Sequence, residues 1–129
     1  MLDELEKTRQ ILLNYREIKE IYDKTDDIND KKHSERYLNI VKKYLTKLKN
    51  DNLYLVKRKY ARCRDKNYMT MLCDVLCFYY VAPIHNSFAA VTELINKKYG
   101  TSYSSATITH FHNTALKIIS EYLKEDDVI

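Results

Sequence analysis

The chain has 129 residues, 45% of them apolar and 31% charged, with a formal net charge of +4. This suffices for one modest buried core plus an extra element, but no apolar run approaches the roughly 18 residues of a membrane span, and the start MLDELEK has no basic or apolar export region. Three Cys residues without CxxC spacing argue against a disulfide framework or a zinc ribbon, and together these features predict a cytoplasmic protein with no membrane partner.

A single Gly (Gly100), a single Pro (Pro83) and the scarcity of alternating apolar and polar segments predict an all-α chain, a small helical bundle. Between Leu2 and Tyr22, the residues Leu5, Ile11, Leu12, Tyr15, Ile18, Ile21 and Tyr22 recur at three- and four-residue spacing, as in one long amphipathic helix ended by DKTDDINDKK. Ser34 is the expected N-cap of a second helix, with Tyr37, Leu38, Ile40, Val41, Tyr44, Leu45 and Leu48 as its buried stripe. KNDN, from Lys49 to Asn52, breaks that helix, and LYLV leads into a basic run. From Met69, MTMLCDVLCFYYV is apolar nearly all round, as a central core helix would be, and Pro83 limits it to about Val81. Ala89, Val91, Leu94 and Ile95 mark a short helix stopped at Gly100. A final helix starts near Ser104 or Ser105 and runs to about Lys124. The expected organisation is an N-terminal amphipathic helix and linker over 1–32, then a helical domain over 33–129.

Charge is concentrated in KRKYARCRDK, where Lys57, Arg58, Lys59, Arg62, Arg64 and Lys66 face one acid, Asp65. Such a patch binds phosphate by releasing condensed counterions, and its Arg side chains can fork onto phosphate or enter a narrow minor groove. The plain alternative is a solvated helix face. The last two helices add a second signal. A short helix, a turn with Gly, and a helix opening on small polar residues is how a helix-turn-helix reads in sequence, here over about 87–124. Its second helix enters the major groove by its N-terminal end, where short polar side chains reach base edges. Ser105, Thr107 and Thr109 suit that role, with His110 one turn later. Ile108, Phe111, Ala115, Ile118, Ile119 and Tyr122 would pack on the body.

These residues resemble a known family, the DNA-binding C-terminal domain of the bacterial replication initiator DnaA, a Trp-repressor-like helix-turn-helix. YGTSYSSATITHFHNTALKI is similar to that family's FGGRD followed by HTTVIHAHRKI, with Tyr99 and Gly100 on the FG pair and SATITHFH on HTTVIHAH. Upstream, KRKYARCRDKNYMTM resembles the basic loop KRRSR and the R-x-M-A-M helix start, and NIVKKYL resembles I-x-x-V-A-x-x-Y. The similarity covers about Glu35 to Lys124. It implies major-groove contacts from Thr107 and His110, and phosphate or minor-groove contacts from Lys57, Arg58 and Lys59. Joined to the helix-turn-helix and basic-run patterns, the expected sets are Ser104, Ser105, Thr107, Thr109 and His110 in the major groove, and Lys57, Arg58, Lys59, Arg62 and Arg64 on phosphates or the minor groove. Ser104 stands where the family keeps Asp, and Ser105 and Ala106 where it keeps His and Thr, so the residues that read the family's box are partly replaced. CFYYVAPIHNSF makes the connection before the helix-turn-helix longer than the family's. No GxxxxGK[ST] motif occurs, so the initiator's ATPase module is missing from this sequence.

Outside that similarity, LLNYREIKEI is similar to the N-terminal helices of small phage-encoded regulators of the ArpU type. This helix either folds back over the domain's own core, which its broad stripe and lack of a sustained heptad favour, or makes a homodimer that spans two half-sites. Cys73, Cys77, His110 and His112 could be imagined as a zinc site, but His110 and His112 point in different directions on a helix, so reduced core cysteines are expected instead. Cys63 among its Arg neighbours is expected to have a lowered pKa, which makes it a candidate for thiol reactivity and not a demonstrated nucleophile. Twelve Tyr and no Trp suggest base stacking, yet Tyr37, Tyr44, Tyr79 and Tyr122 sit on apolar stripes, where packing is expected. No catalytic constellation and no cofactor motif stands out. The expected function is sequence-selective binding of double-stranded DNA by a phage or bacterial regulator of replication or transcription. The alternative is a helical adaptor that holds another replication or transcription protein.

Overall fold

The structure, a computed structural model, describes residues 3–51, 67–84 and 86–129. Lys57, Arg58, Lys59, Arg62 and Arg64, together with Cys63, lie outside the described residues. All regular structure among the described residues is helical: α1 (Glu4–Leu13), α2 (Tyr15–Lys24), α3 (Ile28–Lys49), α4 (Tyr68–Leu76), α5 (Phe88–Tyr99) and α6 (Ser105–Glu125). One π-helical turn, Cys77–Val81, extends α4.

The single N-terminal helix expected from Leu2 to Tyr22 is two helices. Asp3 caps α1 by accepting a hydrogen bond from the Glu6 N–H at 2.7 Å. Asn14 then separates α1 from α2 with φ −77° and ψ −6°, while its N–H still bonds Gln10 O and its carbonyl accepts from the Ile18 N–H. The junction is therefore a bend in a nearly continuous ladder, placed at a residue type whose side chain disfavours helix interiors. The second expected boundary also moves. Asp27, not Ser34, caps α3, accepting from the N–H groups of Asn29 at 2.8 Å and Asp30 at 3.1 Å. Ser34 is buried within that helix, and the expected division between residues 32 and 33 falls inside α3. An earlier N-cap starts the helix sooner, and its first turns stay polar and exposed.

The main core joins the N-terminal helices to α3, α4 and α6. Leu38, Val41, Leu45 and Leu48 line one face of α3, and Ala115, Ile118, Ile119, Tyr122 and Leu123 line the facing side of α6. Leu12 and Tyr15, at the α1–α2 junction, are buried in the same cluster at 3% exposure each, so this segment covers the chain's own core. Helix α4 is buried nearly all round. Its Met69, Leu72, Cys73 and Leu76 face the main core, while Met71 and Val75 face a second cluster with Val91, Ile95 and Ile108.

Several tyrosines bury their rings and hydrogen-bond at the rim, as an apolar ring with a polar tip does. Tyr37 donates to the Ile11 carbonyl, Tyr122 donates to Asp51, and Tyr44 donates to Asp126 at 2.8 Å. Burial, with Asp126 beside it, pushes the Tyr44 hydroxyl up to about 12.

Arg16 of α2 is the polar anchor of the N-terminal segment. Its guanidinium donates to the Ala82 carbonyl, to Tyr79 O at 2.6 Å and to Ile84 O at 3.5 Å. These carbonyls sit at and just beyond the π turn, where Pro83 prevents the helix from continuing and the last acceptors need outside donors. Replacing Arg16 with Ala leaves them dependent on solvent and frees α2 from the turn. Charge-assisted hydrogen bonds contribute about 1.5–3 kcal/mol, and urea denaturation should register a loss of about 2 kcal/mol; an unchanged midpoint would show that α2 is held by packing alone.

Candidate nucleic-acid interface

The segment from Phe88 to Glu125 is a helix, a tight turn and a longer helix. Ser87 caps α5, accepting from the Ala90 N–H at 3.1 Å, and Gly100 ends it at φ +65°. That left-handed conformation strains any residue with a Cβ, which is why glycine is found just past a helix C-terminus. Asn96 then locks the turn. Its Nδ2 donates to Tyr103 O at 2.9 Å, and its Oδ1 accepts from the Tyr103 N–H at 2.9 Å and from the Thr101 hydroxyl at 2.8 Å. Tyr99 donates to Asp74 of α4, and Lys98 pairs with the same carboxylate at 2.7 Å. With Met71, Val75, Val91, Ile95 and Ile108 packed beneath, the start of α6 is set in a fixed position on α4 and α5.

Ser104 is the N-cap of α6. Its hydroxyl accepts from the Thr107 N–H at 3.2 Å and lies 3.1 Å from the Thr107 hydroxyl. Thr107 and Thr109 are half-buried, and Thr109 donates to the Ser105 carbonyl at 2.9 Å. Three of the five residues expected in the groove thus use their hydroxyls to shape the helix start. Ser105 and His110 are exposed, although the Ser105 hydroxyl lies 3.4 Å from that of Thr92. Sequence reasoning stopped at His110. The exposed strip of α6 continues as Ala106, His110, Asn113 and Lys117, steps of four, three and four residues that keep one face of a helix. The signal that would have found Asn113 and Lys117 was this periodicity, extended one turn further.

Phe111 lies at one edge of this strip. It meets Tyr103 edge-on at 5.2 Å and Tyr68 edge-on at 5.7 Å. Tyr68 opens α4, directly downstream of the basic run in the chain.

His112 faces the interior, at 5% exposure. Its ring lies 5.3 Å from Tyr79, 5.5 Å from Tyr80 and 5.1 Å from Phe88. Nε2 is 2.6 Å from the Tyr80 hydroxyl, and Nδ1 is 3.0 Å from Asn113 Oδ1. His110 and His112 are therefore not joint ligands. Cys73 and Cys77 are free thiols with sulfurs 3.9 Å apart, and Cys73 donates to Leu45 O at 3.4 Å. No three potential ligands converge on a metal site among the described residues. No described helix is long and apolar enough to cross a membrane. Scans against protein-family models, curated proteins and solved structures found no match to the chain.

Burial holds the His112 imidazole below its ordinary value, with the Asn113 contact opposing. The unfolded chain takes this proton at about pH 6.5, whereas the folded chain resists it until lower pH. His112 thus contributes its full stability above about pH 6.5, and loses it as the pH falls through that value toward the folded pKa. Urea unfolding at pH 7.5 and 5.5 should show a decline for the parent chain that is clearly smaller in His112→Gln; equal declines would place the acid sensitivity in other groups.

Proposed function

We propose that the chain is a sequence-selective double-stranded DNA-binding protein, a regulator of replication or transcription of phage or bacterial type, that works by contact and not by catalysis. The observation that carries this reading is the start of α6. Its exposed Ser105, Ala106 and His110 stand on a turn locked by Asn96 and on a dedicated apolar cluster. A recognition helix needs this combination, because base edges discriminate only between side chains held in a reproducible place. Residues this small at the leading turn also let the helix backbone come close to the duplex.

In this reading α6 enters the major groove by its N-terminal end. Ser105 and His110 meet base edges, and Ser104, Thr107 and Thr109 chiefly hold the first turns in shape. Lys57, Arg58 and Lys59, as the resemblance to the DnaA C-terminal domain implies, and Arg62 and Arg64 of the same basic run contact phosphates or the adjacent minor groove. The departures at Ser104, Ser105 and Ala106 imply a target different from that family's usual box.

Two substitutions separate the two kinds of contact. Arg58→Ala should weaken binding on every duplex and lower the slope of log K against log salt by about one; an unaltered slope would make the basic run a solvated surface. His110→Ala should cost roughly 1–3 kcal/mol on the best duplex selected from a random pool and relax the preference there. An equal loss on random and selected duplexes would remove His110 from the groove. A chain that selects no sequence at all would favour the adaptor role, in which the same face holds a protein.

A further inference from the structure

We infer that Asn113 is a specificity-determining residue of α6, and that a buried relay from Tyr80 through His112 sets its amide to read guanine. The inference rests on the DNA-binding role proposed for α6 and goes beyond it in naming the reader, its orientation and the base.

The polarity of the relay follows from its outer member. An amide oxygen only accepts, so Asn113 Oδ1 takes its hydrogen bond from His112 Nδ1. Tyr80 is 1% exposed, and its own proton needs an acceptor, because a buried hydroxyl proton left without one is costly. The His112 Nε2 atom, 2.6 Å away, is that acceptor. An imidazole that accepts at Nε2 in its neutral form carries its proton on Nδ1. Nδ1 lies 3.0 Å from Asn113 Oδ1 and donates to it. The amide oxygen of Asn113 is thereby engaged, and the amide NH2 is the half left to face outward from the exposed strip beside His110.

This orientation has a chemical consequence. An unconstrained Asn reads adenine by accepting from N6 and donating to N7. With its oxygen turned onto the buried His112 ring, Asn113 presents the donors of its amide to the groove. Adenine would set its N6 amino group against another donor, whereas guanine presents two neighbouring acceptors, N7 and O6. The buried ring of His112 thus acts as a positioning residue for an amide at the surface.

Selection from random duplexes at one fixed salt concentration, with the full chain, tests this in three arms. Parent protein should select guanine at one position whose preference disappears in Asn113→Ala, with roughly tenfold loss on the selected site and little change on random duplexes. Tyr80→Phe removes the proton that fixes the His112 tautomer, so the same position should shift toward adenine. Nitrogen NMR of the free parent chain reads the tautomer without DNA, and should show His112 protonated on Nδ1. A selected base other than guanine at the Asn113-dependent position, a motif unchanged in Asn113→Ala, or a proton on Nε2 each overturns the inference while leaving the DNA-binding role standing. A parent chain that selects no sequence overturns that role and this inference with it.

Discussion

Helix α4 is the constraint on which the rest of the arrangement depends, because it is shared between two cores. Leu72 and Leu76 are fully buried toward α3 and α6, and Met71 and Val75 are buried toward α5 and the start of α6. Each such side chain contributes roughly 1.5–3 kcal/mol of burial free energy, so neither cluster can shift without costing the other. The Asp74 carboxylate on the same helix adds a polar tie, accepting from Tyr99 and Lys98 at the end of α5. The turn before α6 is consequently braced from two sides. Apolar packing sets its depth and hydrogen bonds set its direction.

How much of this was legible in the sequence depended on whether the signal was local. The stripe of α3, except for the exposed Ile40, and the apolar character of α4 follow from periodicity, and the stop at Gly100 follows from backbone freedom available only to glycine. The start of α6 near Ser104 or Ser105 was also legible, since hydroxyls before an apolar-periodic run are suited to satisfy free N–H groups. The break at Asn14 was not, because Ile11, Leu12, Tyr15 and Ile18 keep a helical spacing straight across it. Asp27 overrode Ser34 as the start of α3 because polar, exposed first turns leave no apolar trace. In the candidate site, the exposed positions of Ser105 and His110 were readable from helical phase. The internal use of the Thr107 and Thr109 hydroxyls was not, since small polar residues near a helix start can equally cap it or face outward.

What no local pattern could reveal is the long-range polar wiring. Arg16 reaches carbonyls more than sixty residues away in sequence, and Tyr80 meets His112 across the packed faces of two elements. The π turn at Cys77–Val81 belongs with these. It adds a residue to the helical turn that carries Tyr79 and Tyr80, which alters the phase at which those rings leave the helix. Tyr80 there points into the core against His112, and Tyr79 stacks on Phe88 at 4.6 Å. A sequence-level wheel drawn with one uniform period through this segment places neither ring correctly.

The two edges of α6 differ in a way that bears on how a duplex would lie. On one side, a half-open cavity of about 320 Å³ is bordered by Asp3, Glu6 and Arg9 of α1 and by Thr109, His112 and Asn113 of α6. Arg9 is paired with Glu6 at 3.2 Å, which leaves the Asp3 carboxylate in excess. On the other side, Phe111 meets Tyr68, an apolar edge with no carboxylate in the contact. Phosphates approaching α6 would be repelled from the Asp3 margin, over the roughly 8–10 Å that unscreened charge reaches in physiological salt. Under the DNA-binding reading this asymmetry gives the docked duplex a direction. It places Asn113 at the acidic margin, where a contact must come from base-edge geometry because phosphate attraction is weakest there. A reader in that position adds discrimination and little general affinity, which is the division of labour expected between base contacts and backbone contacts.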